Sequence, residues 1–350
     1  MSTDISSTSS SSSLPLFGPG QHLLSVDQLD RASLGELLDL AEALRPVGQG
    51  RQVCRVLEGA NLGSLFFEPS TRTRLSFESA FHRLGGSVVS TTGFTFSSMA
   101  KGESIHDTAR VVSGYSDALV VRHPDTGSVS EFAQASVVPV INAGDGSGEH
   151  PSQSLLDVFT MRAELAAHGK SIDGVTIAVL GDLRYGRTVH SLLAILGLFD
   201  QVSFRVFGPP ALALPAEFFD LVHASGNSIV ECDSVQEAIA PADVIYCTRV
   251  QKERLSEEDE QQVHLEGDLL NRAILDEAAR PDSIIMHPLP RDSRHNSFDL
   301  SPDVDGWPGL AIFHQTDNGL LVRMAIFSIA LGVADRVLDD LHPAPWLTTP

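Results

Sequence analysis

The sequence is poor in cysteine and in positive charge, and each shortage argues against a class of protein. Its three cysteines, Cys54, Cys232 and Cys247, include no Cys-x-x-Cys pair, which argues against a structural zinc site and a disulfide scaffold. The net charge of −21 argues against nucleic-acid binding, which needs Lys and Arg to neutralise phosphates. A local cluster of arginines can still bind a small anion, because salt screens charges beyond about 8 Å.

Long apolar runs and targeting signals are also missing. The most apolar late segment, Met324 to Ala334, is shorter than the about 20 residues that span a bilayer. No Lys or Arg precedes Arg31, and the apolar centre of a secretory signal is not found there. Sparse cysteines fit a reducing compartment. We therefore expect a cytoplasmic protein that does not associate with membranes.

The length and composition are those of a globular chain with two domains. At roughly 100–200 residues per domain, 350 residues predict two domains. Hydrophobic residues make up 42% of the chain, which allows a large core without metal or disulfides. Because Ser6 to Ser13 is almost all Ser, we predict a disordered tail over residues 1–20, and we treat 341–350 as a second tail.

Short β-branched runs alternate with runs of helical period in both halves of the chain. The clearest helix begins at Thr71 and stops at Gly85, and others are predicted from Ser154 to Leu165 and from Leu320 to Val337. The predicted strands are Ser64–Phe67, Ser87–Ser90, Ala118–Arg122, Val137–Ile141, Val175–Leu180, Val202–Phe207, Ser228–Glu231, Asp243–Cys247 and Ser283–Met286. This order predicts an α/β fold with two domains, each a parallel sheet with helices on both faces, joined by inter-domain helices.

Ligands of parallel sheets bind beyond the carboxyl ends of the strands, and polar residues cluster there. After one strand, Ser70, Thr71, Arg72 and Thr73 open a helix, whose free N–H groups and dipole favour an anion. A helix cap with surface arginines is the alternative interpretation of this segment.

Two further strand ends carry Arg122, then His150 and Gln153. Each alone is a weak signal, since Arg122 could be a surface ion pair and His150 a helix cap. Together they place an Arg, a His and a Gln at the same edge of one predicted sheet as the first anion site.

The second half offers two arginines suited to carboxylates. Arg187 begins a helix after the strand Val175–Leu180 and the turn at Gly181, but Gly-x-Gly-x-x-Gly is absent, so a dinucleotide site is disfavoured. If the next strand continues, alternation puts Arg249 and Gln251 on one side; the alternative is a solvated charge run. The prolines of the loop after Met286 favour a rigid loop whose carbonyls could accept from an amide.

Seven motifs in this order resemble the aspartate/ornithine carbamoyltransferase family, over about residues 23 to 337. They are FFEPSTRTR at 66–74, KGE at 101–103, RHP at 122–124, HPSQ at 150–153, GDLRYGRTVHSL at 181–192, TRVQKER at 248–254 and HPLPR at 287–291. The resemblance is greatest to the members that carbamoylate L-aspartate. It implies a carbamoyl phosphate domain at 21–150 plus about 316–340, and an aspartate domain at 151–315.

The resemblance also implies the role of each site residue. Carbamoyl phosphate would be bound by Ser70, Thr71, Arg72, Thr73, Ser97, Lys101, Arg122, His150, Gln153, Pro288 and Leu289. Aspartate would be bound by Lys101, Arg187, Arg249 and Gln251. Catalysis would rest on Arg72, Thr73, Lys101, Arg122 and His150. No metal or cofactor is implied.

Assembly and closure are implied as well. Family members are homotrimers in which Ser97 and Lys101 would enter a neighbouring chain's site, and regulatory or dihydroorotase-like partner chains are possible. Glu68 would bridge the domains through Arg187 and Arg254. The chain departs from the family at Ala100, where a second Lys is frequent, and in an extended loop from Asp292 to Pro302.

The sequence leaves three alternatives to aspartate transfer open. Ornithine transfer is disfavoured because Pro288 stands where that subfamily has Cys, and because a cationic substrate has no use for Arg249. Transfer of the carbamoyl group to another, unusual amino acid belongs with the ornithine alternative, since only the acceptor differs. A non-catalytic homologue conflicts with the intact site residues, and a dehydrogenase conflicts with the missing glycine fingerprint.

Overall fold

The structure, a computed structural model, describes residues 14–93, 98–249, 268–291 and 298–346. The strands are β1 Gln52–Val53, β2 Asn61–Phe66, β3 Ser87–Thr92, β4 Ala118–His123, β5 Val140–Asp145, β6 Thr176–Leu180, β7 Ser203–Phe207, β8 Ser228–Glu231, β9 Val244–Cys247, β10 Ile284–Met286 and β11 His342–Pro343. Nine of these eleven strands correspond to predicted strands, and their observed ends differ from the predicted ends by up to four residues.

The α-helices connect these strands. They are α1 Arg31–Ala43, α2 Arg45–Gly48, α3 Thr71–Arg83, α4 Ile105–Ser113, α5 Ser128–Ala135, α6 Pro151–Ala167, α7 Arg187–Leu196, α8 Ala216–Ala224, α9 Val235–Ile239, α10 Arg272–Ala278 and α11 Ile312–Ala330. In the described ranges, every helix is too short or too polar to span a bilayer.

Two parallel sheets organise the fold. The N-terminal sheet has the strand order β3-β2-β4-β5, and the C-terminal sheet has the order β10-β9-β6-β7-β8. The central strands β2, β4, β6 and β9 are almost fully buried, as strands covered by helices on both faces must be. The predicted α/β class with two sheet domains is confirmed.

Helices α6 and α11 join the two sheets. One continuous core includes Leu155 of α6, Ile326 of α11 and residues of both sheets. Phe327 of α11 packs edge-on against Phe77 and Phe81 of α3, with ring centroids 5.8 and 4.9 Å apart. The last helix therefore packs back on α3 of the N-terminal sheet.

The predicted bounds of that last helix were wrong. It begins at Ile312 rather than Leu320 and ends at Ala330 rather than Val337. Its first two turns carry the buried polar residues Gln315 and Asn318, which hide the apolar period. It ends where Gly332 adopts a φ of 64°, a left-handed conformation that Gly adopts at low cost after a helix.

The N-terminal tail is shorter than predicted, and the C-terminal segment is paired. Phe17 is buried and donates its N–H to Gln28 O at 2.8 Å, so residues 14–20 belong to the fold. Residues 1–13 lie outside the described part of the chain. Strand β11 pairs antiparallel with β1, and Ala344 beyond it is buried.

Candidate active site

The carboxyl ends of both sheets face one cleft of about 1380 Å³. Twelve of the sixteen residues singled out above line it: Glu68, Ser70, Thr71, Arg72, Thr73, Arg122, His150, Gln153, Arg187, Arg249, Pro288 and Leu289. Ser97, Gln251 and Arg254 lie outside the described residues. Lys101 ends the 3-10 helix Ser98–Lys101, is exposed, and does not line this chain's cleft.

The amino end of α3 forms one wall of the cleft. Its N-cap, Ser70, has an extended backbone, and among the described residues no side chain caps this helix. Ser70 therefore occupies the N-cap position that the alternative interpretation gave it, but its side chain makes no capping hydrogen bond. Ser70, Thr71, Arg72 and Thr73 at this helix end line the cleft, where the helix dipole favours an anion.

Arg122 is the fifth residue of β4, and its guanidinium is buried under the cleft. It donates through Nη1 to Ala143 O at 3.1 Å. A Cβ at Gly144, whose φ is 128°, would lie 2.6 Å from that Nη1. A side chain at position 144 would therefore displace the guanidinium.

Glu68 lies between two arginines. Its Oε2 is 2.5 Å from Arg122 Nη2 and 3.9 Å from Arg187 Nη2, and all three side chains are mostly buried. The expected contact with Arg187 is present, but Arg122, which was not expected as a partner, is closer. The reason is that β2 and β4 are neighbours in the N-terminal sheet, so their carboxyl ends meet.

His150 is the N-cap of α6 and is 4% exposed. Burial lowers its pKa well below 6.5, and Arg187, Arg122 and Arg323 lower it further. The imidazole is therefore neutral at neutral pH. A neutral imidazole in this position can donate a hydrogen bond from one ring nitrogen without adding charge.

The C-terminal sheet contributes two arginines to the opposite wall. Arg187, the first residue of α7, donates through Nη1 to Gly146 O at 2.6 Å, which ties the two sheets together across the cleft. Arg249 lines the same cleft as Arg72, and partial burial together with the charge of Arg249 lowers the pKa of Arg72. Strand β9 ends at Cys247, so the described residues do not continue the alternation that was used to pair Arg249 with Gln251.

The loop after β10 borders the remaining side of the cleft. His287 Nδ1 accepts the N–H of Leu289 at 2.9 Å, and Leu289 adopts a φ of 56°, which non-Gly residues rarely do. Gln153, one turn into α6, donates from Nε2 to Asp157 Oδ1 at 2.9 Å. This leaves the amide oxygen of Gln153 as an acceptor.

Two residues of the site were missed. Arg323 of α11 lines the cleft, is buried over the Phe77 ring, and has its pKa lowered by burial to about 10. Asp157 of α6 lies behind Gln153, and burial raises its pKa to about 7. The signal was a charged residue inside an apolar helical run, which marks a buried and therefore paired or functional group.

The residues also bear on metal binding. Among the described residues, no group of three His, Cys, Asp or Glu side chains is placed to hold a metal ion. The cleft instead gathers guanidinium groups, hydroxyls and helix N-termini, which are ligands for anions.

Two parallel sheets that share an arginine-lined cleft make this a two-domain α/β protein whose cleft is suited to anions. The family profile for the carbamoyl-P binding domain of aspartate/ornithine carbamoyltransferases matches residues 21–163. The profile for the Asp/Orn binding domain matches residues 173–330. The chain belongs to the aspartate/ornithine carbamoyltransferase family.

Individual relatives agree with this assignment. The chain is 54% identical to the aspartate carbamoyltransferase catalytic subunit of Dichelobacter nodosus, over 93% of both chains. It resembles aspartate transcarbamoylase of Trypanosoma cruzi, solved with carbamoyl phosphate and aspartate, with a TM-score of 0.80 and 37% identity. That match covers 91% of this chain and 99% of the other. The catalytic subunit from M. jannaschii matches with a TM-score of 0.78 and 39% identity, over 90% and 98% of the two chains.

Proposed function

We propose that the chain transfers the carbamoyl group of carbamoyl phosphate to the amino group of L-aspartate. The products are N-carbamoyl-L-aspartate and phosphate, and the reaction belongs to pyrimidine synthesis. The observation that carries the proposal is the convergence of Arg72, Arg122, Arg187 and Arg249 around neutral His150 in one cleft. Arginine's planar fork suits both phosphate and carboxylate groups.

The phosphate of carbamoyl phosphate lies at the amino end of α3. Ser70, Thr71, Arg72 and Thr73 donate to its oxygens, together with Arg122. Support comes from the uncapped helix end and from the guanidinium of Arg122 at the same edge of the sheet. Charge-assisted hydrogen bonds of this kind are roughly twice as strong as neutral ones.

The carbamoyl group lies between α6 and the loop after β10. His150, Thr73 and Arg122 donate to the carbonyl oxygen. Gln153 Oε1 and the carbonyls of Pro288 and Leu289 accept from the NH₂. The neutrality of His150 supports its role, because a neutral N–H polarises a carbonyl without repelling the surrounding arginines.

Aspartate lies against the C-terminal sheet. Arg187 binds its α-carboxylate, and Arg249 with Gln251 binds its β-carboxylate. The presence of Arg72 and Arg249 in one cleft supports a site that holds phosphate and β-carboxylate side by side. The guanidinium groups of Arg72 and Arg249 would repel the side-chain ammonium group of a cationic acceptor such as ornithine.

The reaction needs no cofactor. The deprotonated amine of aspartate attacks the carbamoyl carbon, a tetrahedral oxyanion forms, and phosphate leaves with the amine proton. Donors aimed at the oxyanion stabilise the transition state more than the ground state, and each contributes about 10²–10³ in kcat. Closure of the two domains orients the anions and expels water.

The active enzyme is a homotrimer with shared sites. Ser97 and Lys101 of one chain complete the site of its neighbour, and the exposure of Lys101 away from its own cleft supports this. Mixing inactive Lys101→Ala and Arg72→Ala chains tests it, since hybrid trimers would contain some intact sites. Activity that stays absent after exchange of chains would contradict the sharing. Light scattering of the native protein would detect regulatory or dihydroorotase-like partner chains as added mass.

Residues 21–150 with about 316–340 form the carbamoyl phosphate domain, and 151–315 form the aspartate domain. Contacts of Phe327 with α3 support the return of the last helix to the first domain. A cytoplasmic location is supported by the three cysteines, which are all unpaired and buried.

The direct test is an assay of the purified chain with carbamoyl phosphate and either aspartate or ornithine. We expect N-carbamoyl-L-aspartate and phosphate in equal amounts from aspartate, and no product from ornithine. Release of phosphate without carbamoylated aspartate, or a preference for ornithine, would overturn the proposal.

A further inference from the structure

A buried carboxylate behind the cleft receives three hydrogen bonds from three elements. Asp157 of α6 is fully buried. Its Oδ1 accepts from Gln153 Nε2 at 2.9 Å and from Gln315 Nε2, on α11, at 2.6 Å. Its Oδ2 accepts from the hydroxyl of Tyr246, on β9, at 2.8 Å. Burial raises the pKa of this carboxyl group to about 7; above that pH it is ionised and only accepts, so all three neighbours donate.

One arm of this network fixes the polarity of Gln153. The two ends of a Gln amide have the same shape but opposite hydrogen-bonding character. Because the NH₂ of Gln153 is bound by Asp157, its Oε1 is the atom available to a ligand in the cleft. An acceptor there suits an NH₂ group of the ligand and disfavours a carbonyl or a carboxylate.

The second arm reaches the loop after β10. Gln315 Oε1 accepts the backbone N–H of His287 at 2.9 Å. His287 in turn accepts from Leu289 N through Nδ1 at 2.9 Å, so its Nε2–H donates to Asp299 Oδ2 at 2.6 Å. Pro288 has no N–H and the N–H of Leu289 is bound, so the backbone groups that these two residues can offer to a ligand are carbonyls, which need a donor.

We propose that Asp157 is a positioning residue that makes the carbamoyl subsite selective for an NH₂ group, by holding Gln153 and the Pro288–Leu289 loop as acceptors. This rests on the proposed function and deepens it. The consequence is discrimination between an acyl phosphate that carries an amide NH₂ and one that carries a methyl group. A buried site built for hydrogen bonds rejects the methyl analogue because its polar groups are left unpaired.

The test compares two stable analogues that differ only at this group. Phosphonoacetamide carries the NH₂, and 2-oxopropylphosphonate carries CH₃ in its place. The Kd of each is measured by calorimetry without aspartate. We expect the wild-type chain to prefer the amide. The ratio of the Kd of 2-oxopropylphosphonate to the Kd of phosphonoacetamide should fall at least about 10-fold in Asp157→Leu, the scale of one lost buried hydrogen bond. Asp157→Asn keeps one acceptor oxygen for the two glutamines and should restore most of the preference.

Two controls separate positioning from loss of stability. Thr160→Val removes a buried hydrogen bond with Asn318, 3.0 Å long, which joins the same two helices one turn further along α6. It should leave the ratio unchanged. The Kd of inorganic phosphate, which reports the amino end of α3, should be unchanged in Asp157→Leu.

If Asp157→Leu weakened the binding of both analogues equally, or left the ratio unchanged, the inference about Asp157 would be overturned and the proposed function would stand. Failure of the wild-type chain to carbamoylate aspartate would instead overturn the proposed function. Should Asp157→Leu not fold, Gln315→Leu cuts only the arm that reaches the loop. It should lower the ratio by a smaller factor, and an unchanged ratio there would also count against the inference.

Discussion

Removal of the charge on Glu68 should change the two substrate sites in opposite directions. Its carboxylate lies 2.5 Å from Arg122 and 3.9 Å from Arg187, which belong to different sheets. In Glu68→Gln the two guanidinium groups would face each other without a carboxylate between them. We therefore expect a lower kcat/KM for aspartate, because closure would bring like charges together, and tighter binding of inorganic phosphate, which can replace the lost counter-charge at Arg122.

The size of the effect follows from the distances and the burial. At an effective dielectric constant of about 20, unit charges separated by 3.9 Å interact by about 4 kcal/mol. The side chain of Glu68 is 27% exposed, so its pairs fall between exposed pairs, worth about 0.2–1 kcal/mol, and buried ones, where loss of a partner costs about 3–5 kcal/mol. A net change of about 1.4 kcal/mol, or tenfold, is expected in each direction.

Steady-state kinetics with varied aspartate and calorimetry with phosphate alone measure these two effects. Glu78→Gln is the matched control, since Glu78 is a partly buried carboxylate on α3 that lies 3.8 Å from Arg74 and does not line the cleft. It should alter neither value by more than about twofold. Weaker phosphate binding in Glu68→Gln would refute the reasoning, because it would mean that the carboxylate holds Arg122 in its binding position.

Three further predictions follow from the site. Arg72→Ala should lose turnover by about 10²–10³ with the assembly intact by light scattering, and near-normal kcat would contradict its role at the phosphate. Arg249→Ala should raise the aspartate KM with little change in phosphate affinity, and an unchanged KM would place the β-carboxylate elsewhere. Because burial lowers the pKa of His150, the unfolded state binds its proton first, so stability should fall as pH drops below about 6.5. Urea unfolding at pH 7.5 and 5.0 measures the free energy of unfolding. Between these pH values it should fall less in His150→Gln than in wild type, and an equal fall would contradict a buried neutral imidazole.

Local sequence signals predicted the elements whose stability is local. Helix α3 begins at Thr71 as expected, and Gly85, with a φ of 91°, follows it as the expected stop. Strand β8, Ser228–Glu231, has the predicted bounds. These succeed because apolar period and glycine conformation act over a few residues.

Elements held by distant polar contacts were not predictable in this way. The start of α11 depends on Gln315 and Asn318, which are buried because they bind Asp157 and Thr160 of α6 at 2.6 and 3.0 Å. No period in the sequence reveals such partners. For the same reason, the family resemblance implies Arg187 and Arg254 as the partners of Glu68, whereas adjacent strand ends bring Arg122 closer than Arg187.

The electrostatics of the cleft lead to a last prediction, on how bound anions change His150. Since the imidazole is already fully buried, ligand binding can add little desolvation, so charge decides the direction of any further pKa shift. Arg187, Arg122 and Arg323 now lower its pKa. A phosphate dianion beside Arg122 would oppose them, and the pKa of His150 should therefore rise. NMR titration of labelled histidine with and without phosphate measures this shift, with His150→Gln identifying the resonance. A further fall of the pKa on binding would mean that the phosphate lies away from this imidazole, and would remove the electrostatic argument for His150 next to the carbamoyl group.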